Sequence, residues 1–386
     1  MADNFCIMPF VHAFVTPNTI SPCCAYTNDI KLNSKEQYWD SDQLKNIQKN
    51  MLDNIRDDGC GICWKKEDRG YSSLRQHSNQ IYSKHMDVNS DKIADQPYYI
   101  DLRLGNLCNL KCRMCISEWS SQIAGEILDN PNEDWIDTPT QKVIELDDNT
   151  WNTLHKWIPY VKRVFMTGGE PTIIKRNLDY IKEIKDIGRS KEVELIFTTN
   201  ATNINQQFIE IGKHFKSVSF NVSIDAVGEL ARYIRYPSDW DTIEKNLRNI
   251  EHGISLNTTI QWLNMTRLNE IFDYIENCGI KFGGIWFQLV TDPEYLDPIY
   301  APKFMKEKCI GDIDNFLNRP FLQDEKYNNI LYGELKQSLI QTKGFLMENL
   351  DRTEHVNEFL KRMEILDRLR GQKLFDALPE LRQLGG

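Results

Sequence analysis

The chain has 386 residues, 41% of them hydrophobic and 11% aromatic, with a formal net charge of −10. That length can hold a large core in more than one domain, and that composition excludes a disordered chain. The acidic balance gives no footprint for duplex nucleic acid, and no apolar run reaches the roughly 20 residues needed to cross a bilayer.

Residues 1–97 are polar and turn-rich, with one predicted helix around 41–56. The opening MADNFCIMPF has neither a basic flank nor a cleavage signature, so a cytoplasmic chain without a secretory leader is expected. Ten cysteines are many for a reducing compartment, and they cluster. Five stand in this region, Cys6, Cys23, Cys24, Cys60 and Cys63, and Cys108, Cys112 and Cys115 follow as a trio. In such a compartment clustered thiols point to metal ligation rather than disulfides. The two-residue spacing of Cys60 and Cys63 serves zinc or iron–sulfur ligation, and Cys6 with Cys23 or Cys24 completes four ligands. Adjacent cysteines rarely serve one iron well, so the other member of that pair is a buried neighbour or an alternate ligand. A second iron–sulfur cluster is the leading reading, a structural zinc ribbon the next, free thiols the last. The isolated Cys278 and Cys309 read as small buried hydrophobes.

From 98 to 295, strand patterns alternate with helix-length segments, the order of a parallel α/β fold. Six strands are predicted, at about 99–104, 163–167, 193–199, 217–224, 254–260 and 284–290. Several alternate strictly. In SVSFNVSID, Ser219, Asn221, Ser223 and Asp225 oppose Val218, Phe220, Val222 and Ile224; YIDLRL and ISLNTTIQ behave alike. A parallel strand covered on both faces, or lining a filled closed barrel, reads instead as a nearly continuous apolar run. One apolar face for a helix shell and one polar face for a ligand cavity describe an open, partial barrel. Asp101, Arg103, Asn221, Asn257, Trp286 and Gln288 are its cavity candidates.

The first strand runs into LGNLCNLKCRMC. Three thiolates on one short loop can hold three irons of a [4Fe-4S] cluster and leave the fourth open, as a catalytic centre requires. Zinc completed by a distant His is the competing reading. CNLKCRMC resembles the cluster loop of radical S-adenosylmethionine (radical SAM) enzymes, over roughly residues 98–295; Met114 stands where many members carry an aromatic residue. The resemblance implies S-adenosylmethionine as cofactor. It implies reductive cleavage to a 5′-deoxyadenosyl radical that abstracts hydrogen from a substrate. It also implies a reductase such as flavodoxin or ferredoxin as electron donor.

The second strand ends in FMTGGEP, where a glycine pair lets the backbone approach a ligand closely. By resemblance Gly168, Gly169 and Glu170 meet the methionine amino group. Thr198 and Asn200 close the third strand and Ser223 and Asp225 the fourth, positions that in the family meet ribose hydroxyls and the methionine carboxylate. In ARYIRYP, Arg232 or Arg235 offers a planar fork to that carboxylate, with Arg232 preferred because it follows the strand sooner.

The run from Cys60 to Arg75, CxxCW…E…G…S…R, resembles the SPASM/twitch auxiliary-cluster group, with its cysteines placed before the barrel rather than after it. Residues 296–386 are predicted helical; LDRLRG…LPELRQL resembles uncharacterised relatives in that group and reads as a helix on the open edge. The expectation is thus an α/β protein: an auxiliary-cluster domain over 1–97, a partial (β/α)6 barrel over 98–295, and a helical C-terminal extension over 296–386. Peptide or protein side chains are the favoured substrate, a small metabolite or nucleotide-derived molecule the alternative. A non-catalytic iron–sulfur or zinc scaffold is the reading from another class.

Overall fold

A computed structural model describes residues 4–28, 30, 38–68, 72–82, 96–323 and 330–385. The protein is mixed α/β with a helical C-terminal part, and eight strands belong to its main sheet. Two compact units divide the chain. The first comprises Met1–Leu107, Val143–Phe197 and Gln206–Val218; the second comprises Cys108–Lys142, Thr198–Asn205 and Ser219–Gly386.

In the first unit, β1 (His12–Val15) turns back into β2 (Ile20–Ser21) as an antiparallel pair. β1 also runs parallel to β3 (Tyr99–Arg103), with Phe14 opposite Asp101. Next come β4 (Lys111–Cys112), which belongs to the second unit, and β5 (Arg163–Thr167), which pairs in parallel with β3. β5 pairs in parallel with β6 (Glu194–Thr199). Helices Asp148–Trp157 and Lys175–Asp186 supply the connections; the first starts at Asp147, whose carboxylate accepts from Thr150 N at 2.8 Å. Ile100, Leu102, Val164, Met166, Leu195 and Phe197 alternate with less buried residues and form the apolar face.

In the second unit, β7 (Ser217–Ser223) pairs in parallel with β9 (Gly253–Ile260), and β9 with β10 (Phe282–Leu289); the short β8 (Arg235–Tyr236) pairs antiparallel with β4. Val218, Phe220 and Val222 are buried while Ser219, Asn221 and Ser223 are half-buried, as the alternation requires. Trp286 lies opposite Asn257, and Gln288 Nε2 donates to Asn257 Oδ1 at 3.0 Å, so the polar side chains do share a face. Helix Leu268–Asn277 covers the other face: Phe272 packs against Phe287 at 5.4 Å and stacks on Phe316 at 4.1 Å. All six expected strands are present within two residues of their predicted ends. The pair β1–β2 was not foreseen. Every residue of HAFV is buried, so the segment carries no alternation to read.

Candidate functional site

Backbone pairing and serine hydroxyls build the cysteine loop. Cys112 lies opposite Arg235 in the β4–β8 ribbon, Arg113 N donates to Ile234 O at 2.9 Å, and Cys115 N donates to Cys112 O at 3.1 Å. Ser121 Oγ accepts from Cys108 N at 3.2 Å, and Ser120 Oγ donates to Leu110 O at 2.6 Å while capping helix Ser121–Asp129. The three thiols share one electrostatic neighbourhood. Burial raises the Cys115 pKa, and the thiolates of Cys112 and Cys108 raise it further. Burial also raises Cys112, against which Arg235 and Arg370 act.

The neighbouring predicted residues divide between two jobs. Asn200 is buried; its Nδ2 donates to Asn109 Oδ1 at 2.9 Å and its Oδ1 accepts from Thr202 N at 2.9 Å. Asn109 Nδ2 donates to Thr202 Oγ1 at 2.7 Å, which ties the cysteine loop to the end of β6. Asn109, inside CNLKC, was missed because a loop amide gives no signal of its partner. Asp225 is 1% exposed; its Oδ2 accepts from Arg235 Nε at 2.7 Å and its Oδ1 from Thr259 N at 2.8 Å. Burial raises the Asp225 pKa and Arg235 opposes it. Arg235 Nη1 reaches Cys112 Sγ at 4.0 Å, whereas Arg232 is exposed on helix Gly228–Ile234. Of the two arginines, Arg235 is the one beside the trio. Ser223 and Thr198 are half-buried.

In the first unit, the turn after β5 is built by close backbone approach. A Cβ on Gly168, at φ +113°, would stand 2.9 Å from Gly105 O, and one on Gly169 would stand 2.2 Å from Leu107 O. Gly169 N donates to Gly105 O at 3.1 Å and Glu170 N to Leu107 O at 2.8 Å, which seats the turn on the residues that lead into Cys108. Glu170 is 1% exposed, and its Oε1 accepts from Thr172 Oγ1 at 2.7 Å and Thr172 N at 3.2 Å.

The N-terminal cysteines also gather. Cys6, Cys23 and Cys63 are buried, Cys60 is half-buried and Cys24 is exposed. Burial raises the Cys6 pKa, followed by Cys23 and Cys63; burial raises Cys60, followed by Cys6. Cys24 instead has Asp101 and then Arg103 as its strongest charged neighbours. The run CxxCW…E…S…R proves to be a clamp around this group; its Gly70 lies outside the described residues. Arg75 Nη1 donates to Phe5 O at 2.6 Å, its Nε donates to Glu67 at 2.9 Å, and its guanidinium lies 4.9 Å from the Trp64 ring. Trp64 Nε1 donates to Asp57 O at 3.1 Å. Tyr26 packs against Gly59, where a Cβ would meet its ring at 2.3 Å. Cys278 and Cys309 are buried singly, as expected.

Among the described residues no three His, Cys, Asp or Glu are drawn tightly enough together for a single metal ion. A [4Fe-4S] cluster instead takes each thiolate on a different iron. The trio fits that group: three coupled thiols with Arg235 and Arg370 as nearby cations suit an anionic cluster.

The Radical SAM superfamily model matches residues 102–270. An S-adenosylmethionine-dependent nucleotide dehydratase of Psychrobacter lutiphocae is 26% identical over 145 residues, 36% of this chain and 44% of that protein. The GTP 3′,8-cyclase of Helicobacter pylori is 26% identical over 227 residues, 56% of this chain and 62% of that protein. The chain thus covers less than two thirds of either curated relative. The solved structure of anSMEcpe with bound AdoMet aligns with a TM-score of 0.43 at 16% identity, covering 58% of this chain and 62% of that one. No helix among the described residues is long and apolar enough to cross a membrane. Over residues 102–270, somewhat less than half of its length, the chain is thus similar to the Radical SAM superfamily.

Proposed function

We propose that the chain holds a [4Fe-4S] cluster on Cys108, Cys112 and Cys115, binds S-adenosylmethionine against it, and abstracts hydrogen from a peptide or protein side chain. The observation that carries this reading is the coupled thiol trio with Arg235 beside Cys112, inside the matched stretch. When bound, the cluster and S-adenosylmethionine supply one-electron cleavage to methionine and a 5′-deoxyadenosyl radical. The chain's own residues bind and orient. Asp225 holds Arg235 in place, so Arg235 rather than Arg232 is assigned to the methionine carboxylate. The backbone of Gly168 and Gly169 and the carboxylate of Glu170 are assigned to the ammonium, and Thr198, Asn200 and Ser223 to polar contacts of the nucleoside.

The peptide substrate rests on the Cys60–Arg75 run and its likeness to the SPASM/twitch group, in which an auxiliary cluster on Cys6, Cys23, Cys60 and Cys63 has a place. A nucleotide substrate is the second reading, favoured by the names of the two curated relatives. Anaerobically reconstituted protein with dithionite is expected to form 5′-deoxyadenosine slowly without substrate. Replacing Cys108, Cys112 and Cys115 together by Ala is expected to abolish it, and equal rates in parent and triple variant would refute the assignment. Stimulation by nucleoside triphosphates but not by peptides would hand the substrate to the second reading.

A further inference from the structure

The residues on both sides of Cys112 are anchored through buried charge to the C-terminal helix Val356–Arg370. Arg113 has no exposed side-chain surface. Its Nε donates to Tyr233 O at 2.8 Å and its Nη1 to Met363 Sδ at 3.4 Å. Its Nη2 donates to Asp367 Oδ1 at 2.5 Å and to Gln372 Oε1 at 3.0 Å. The guanidinium also lies 3.7 Å from the centroid of the Tyr233 ring. Asp367 uses its second oxygen to accept from Leu374 N at 2.5 Å. On the other side of Cys112, Lys111 Nζ donates to Glu126 Oε1 at 3.1 Å, and Arg370 Nη2 donates to Glu126 Oε2 at 2.7 Å. The side chains of Arg370 and Glu126 are 2% and 4% exposed.

Stability alone explains such pairs poorly. The desolvation cost of a buried ion pair roughly offsets its attraction, and apolar side chains of the same volume often serve as well or better. What apolar side chains cannot do is fix the direction of a planar guanidinium on the residue between two thiolates. A small pocket of about 50 Å³, lined by Cys112, Arg113, Cys115, Glu126, Leu366 and Arg370, borders the loop on this side.

We propose that Asp367 is a positioning residue: by holding Arg113 it fixes the turn from Cys112 to Cys115, so that the end of the C-terminal helix governs how firmly the trio keeps its irons. The proposal rests on the reading of the trio as cluster ligands. It is tested by the rate at which reconstituted holoprotein loses iron to a ferrous chelator without oxygen, alongside its melting midpoint. The triple cysteine variant shows which phase of iron release belongs to the trio, since it lacks that phase. If it lacks none, the ligand reading fails and the proposal with it.

Asp367→Asn is expected to speed that phase about tenfold, the usual scale for losing a residue that orients a metal ligand. Arg368→Gln removes a pair from the same helix, to Glu133 at 2.6 Å with Arg368 57% exposed, and is expected to leave the rate unchanged. The double variant Arg113→Met with Asp367→Leu replaces the whole pair by apolar side chains. It also leaves Tyr233 O and Leu374 N without these partners, so it is expected to melt somewhat below the parent and to lose iron about as fast as Asp367→Asn, and it carries the test if Asp367→Asn does not fold. Release at the parent rate in Asp367→Asn overturns the proposal. So does a double variant that regains both the melting midpoint and the parent rate, because the pair would then be structural only.

Discussion

Asp101 and His12 are held away from their ordinary pKa values by one cause acting in opposite senses. Asp101, on β3, is 5% exposed with no hydrogen-bond partner for Oδ1 among the described residues; burial raises its pKa from 3.8 to about 7, with Arg103 opposing. His12, on β1, is 1% exposed; burial lowers its pKa from 6.5 to about 4, with the carbonyl of Pro22, 2.8 Å from Nδ1, opposing. The signs follow from which state holds more protons. Folded Asp101 keeps a proton that the unfolded chain releases above pH 3.8, so its contribution is present below that value and is lost as pH rises through about 7. Unfolded His12 takes up a proton below pH 6.5 that the folded chain refuses down to about 4, so its contribution is lost as pH falls through that window. At 1.36 kcal/mol per unit these amount to about 4 and about 3 kcal/mol, and they oppose each other between pH 4 and 6.5. Asp101→Asn is therefore expected to make melting more acid-sensitive than in the parent between pH 7 and 5, and His12→Gln to make it less so. Parallel melting-versus-pH curves for all three proteins would remove both assignments.

At the scale of elements, the GGEP turn, which the sequence marks for its chemistry, is fixed by packing. A Cβ on Gly169 would lie far inside contact distance of Leu107 O, a backbone atom that cannot swing away. Gly169→Ala is expected to cost about 1–3 kcal/mol in urea unfolding, the range of overpacked sites. Gly61→Ala, where a Cβ meets nothing within 4 Å, is expected to be neutral or slightly stabilising. Equal unfolding midpoints for both variants would contradict the contact. The six strands were readable because half-buried faces write their alternation into SVSFNVSID and ISLNTTIQ. The β4–β8 ribbon was not, since each strand has two residues and leaves no period. For the same reason the sequence shows no preference for Arg235 over Arg232. Proximity to the preceding strand favours Arg232, but the helix ends at Ile234 and the ribbon then sets Arg235 opposite Cys112. The spacing of the trio is visible in the sequence. The trio's anchors are not, because Arg113 and Asp367 lie 254 residues apart and a charge carries no address for its partner.

For the molecule as a whole, the outstanding question is whether it carries one metal centre or two. The N-terminal thiols do not behave as scattered core cysteines: Cys23 and Cys63 act on Cys6, Cys60 and Cys63 on Cys23, and Cys6 and Cys63 on Cys60, with Arg75 as a nearby cation for Cys6 and Cys60. Four thiolates on one iron–sulfur cluster carry net negative charge, which a buried guanidinium offsets. Arg75 is itself paired with Glu67 at 2.5 Å, which holds the guanidinium in place beside the thiols. Cys24 is exposed and has Asp101 as its strongest charged neighbour, though it also acts on the adjacent Cys23. Reconstituted protein is therefore expected to hold about eight irons per chain, and the quadruple Ser variant at Cys6, Cys23, Cys60 and Cys63 about four. That variant should still form 5′-deoxyadenosine from S-adenosylmethionine, because the trio keeps its own cluster. Cys24→Ser should keep the full complement while Cys23→Ser should lose iron, which separates the adjacent pair. About four irons and one zinc in the parent would make the N-terminal site structural. It would also withdraw the link to the auxiliary-cluster group on which the peptide substrate rests, leaving the nucleotide reading ahead.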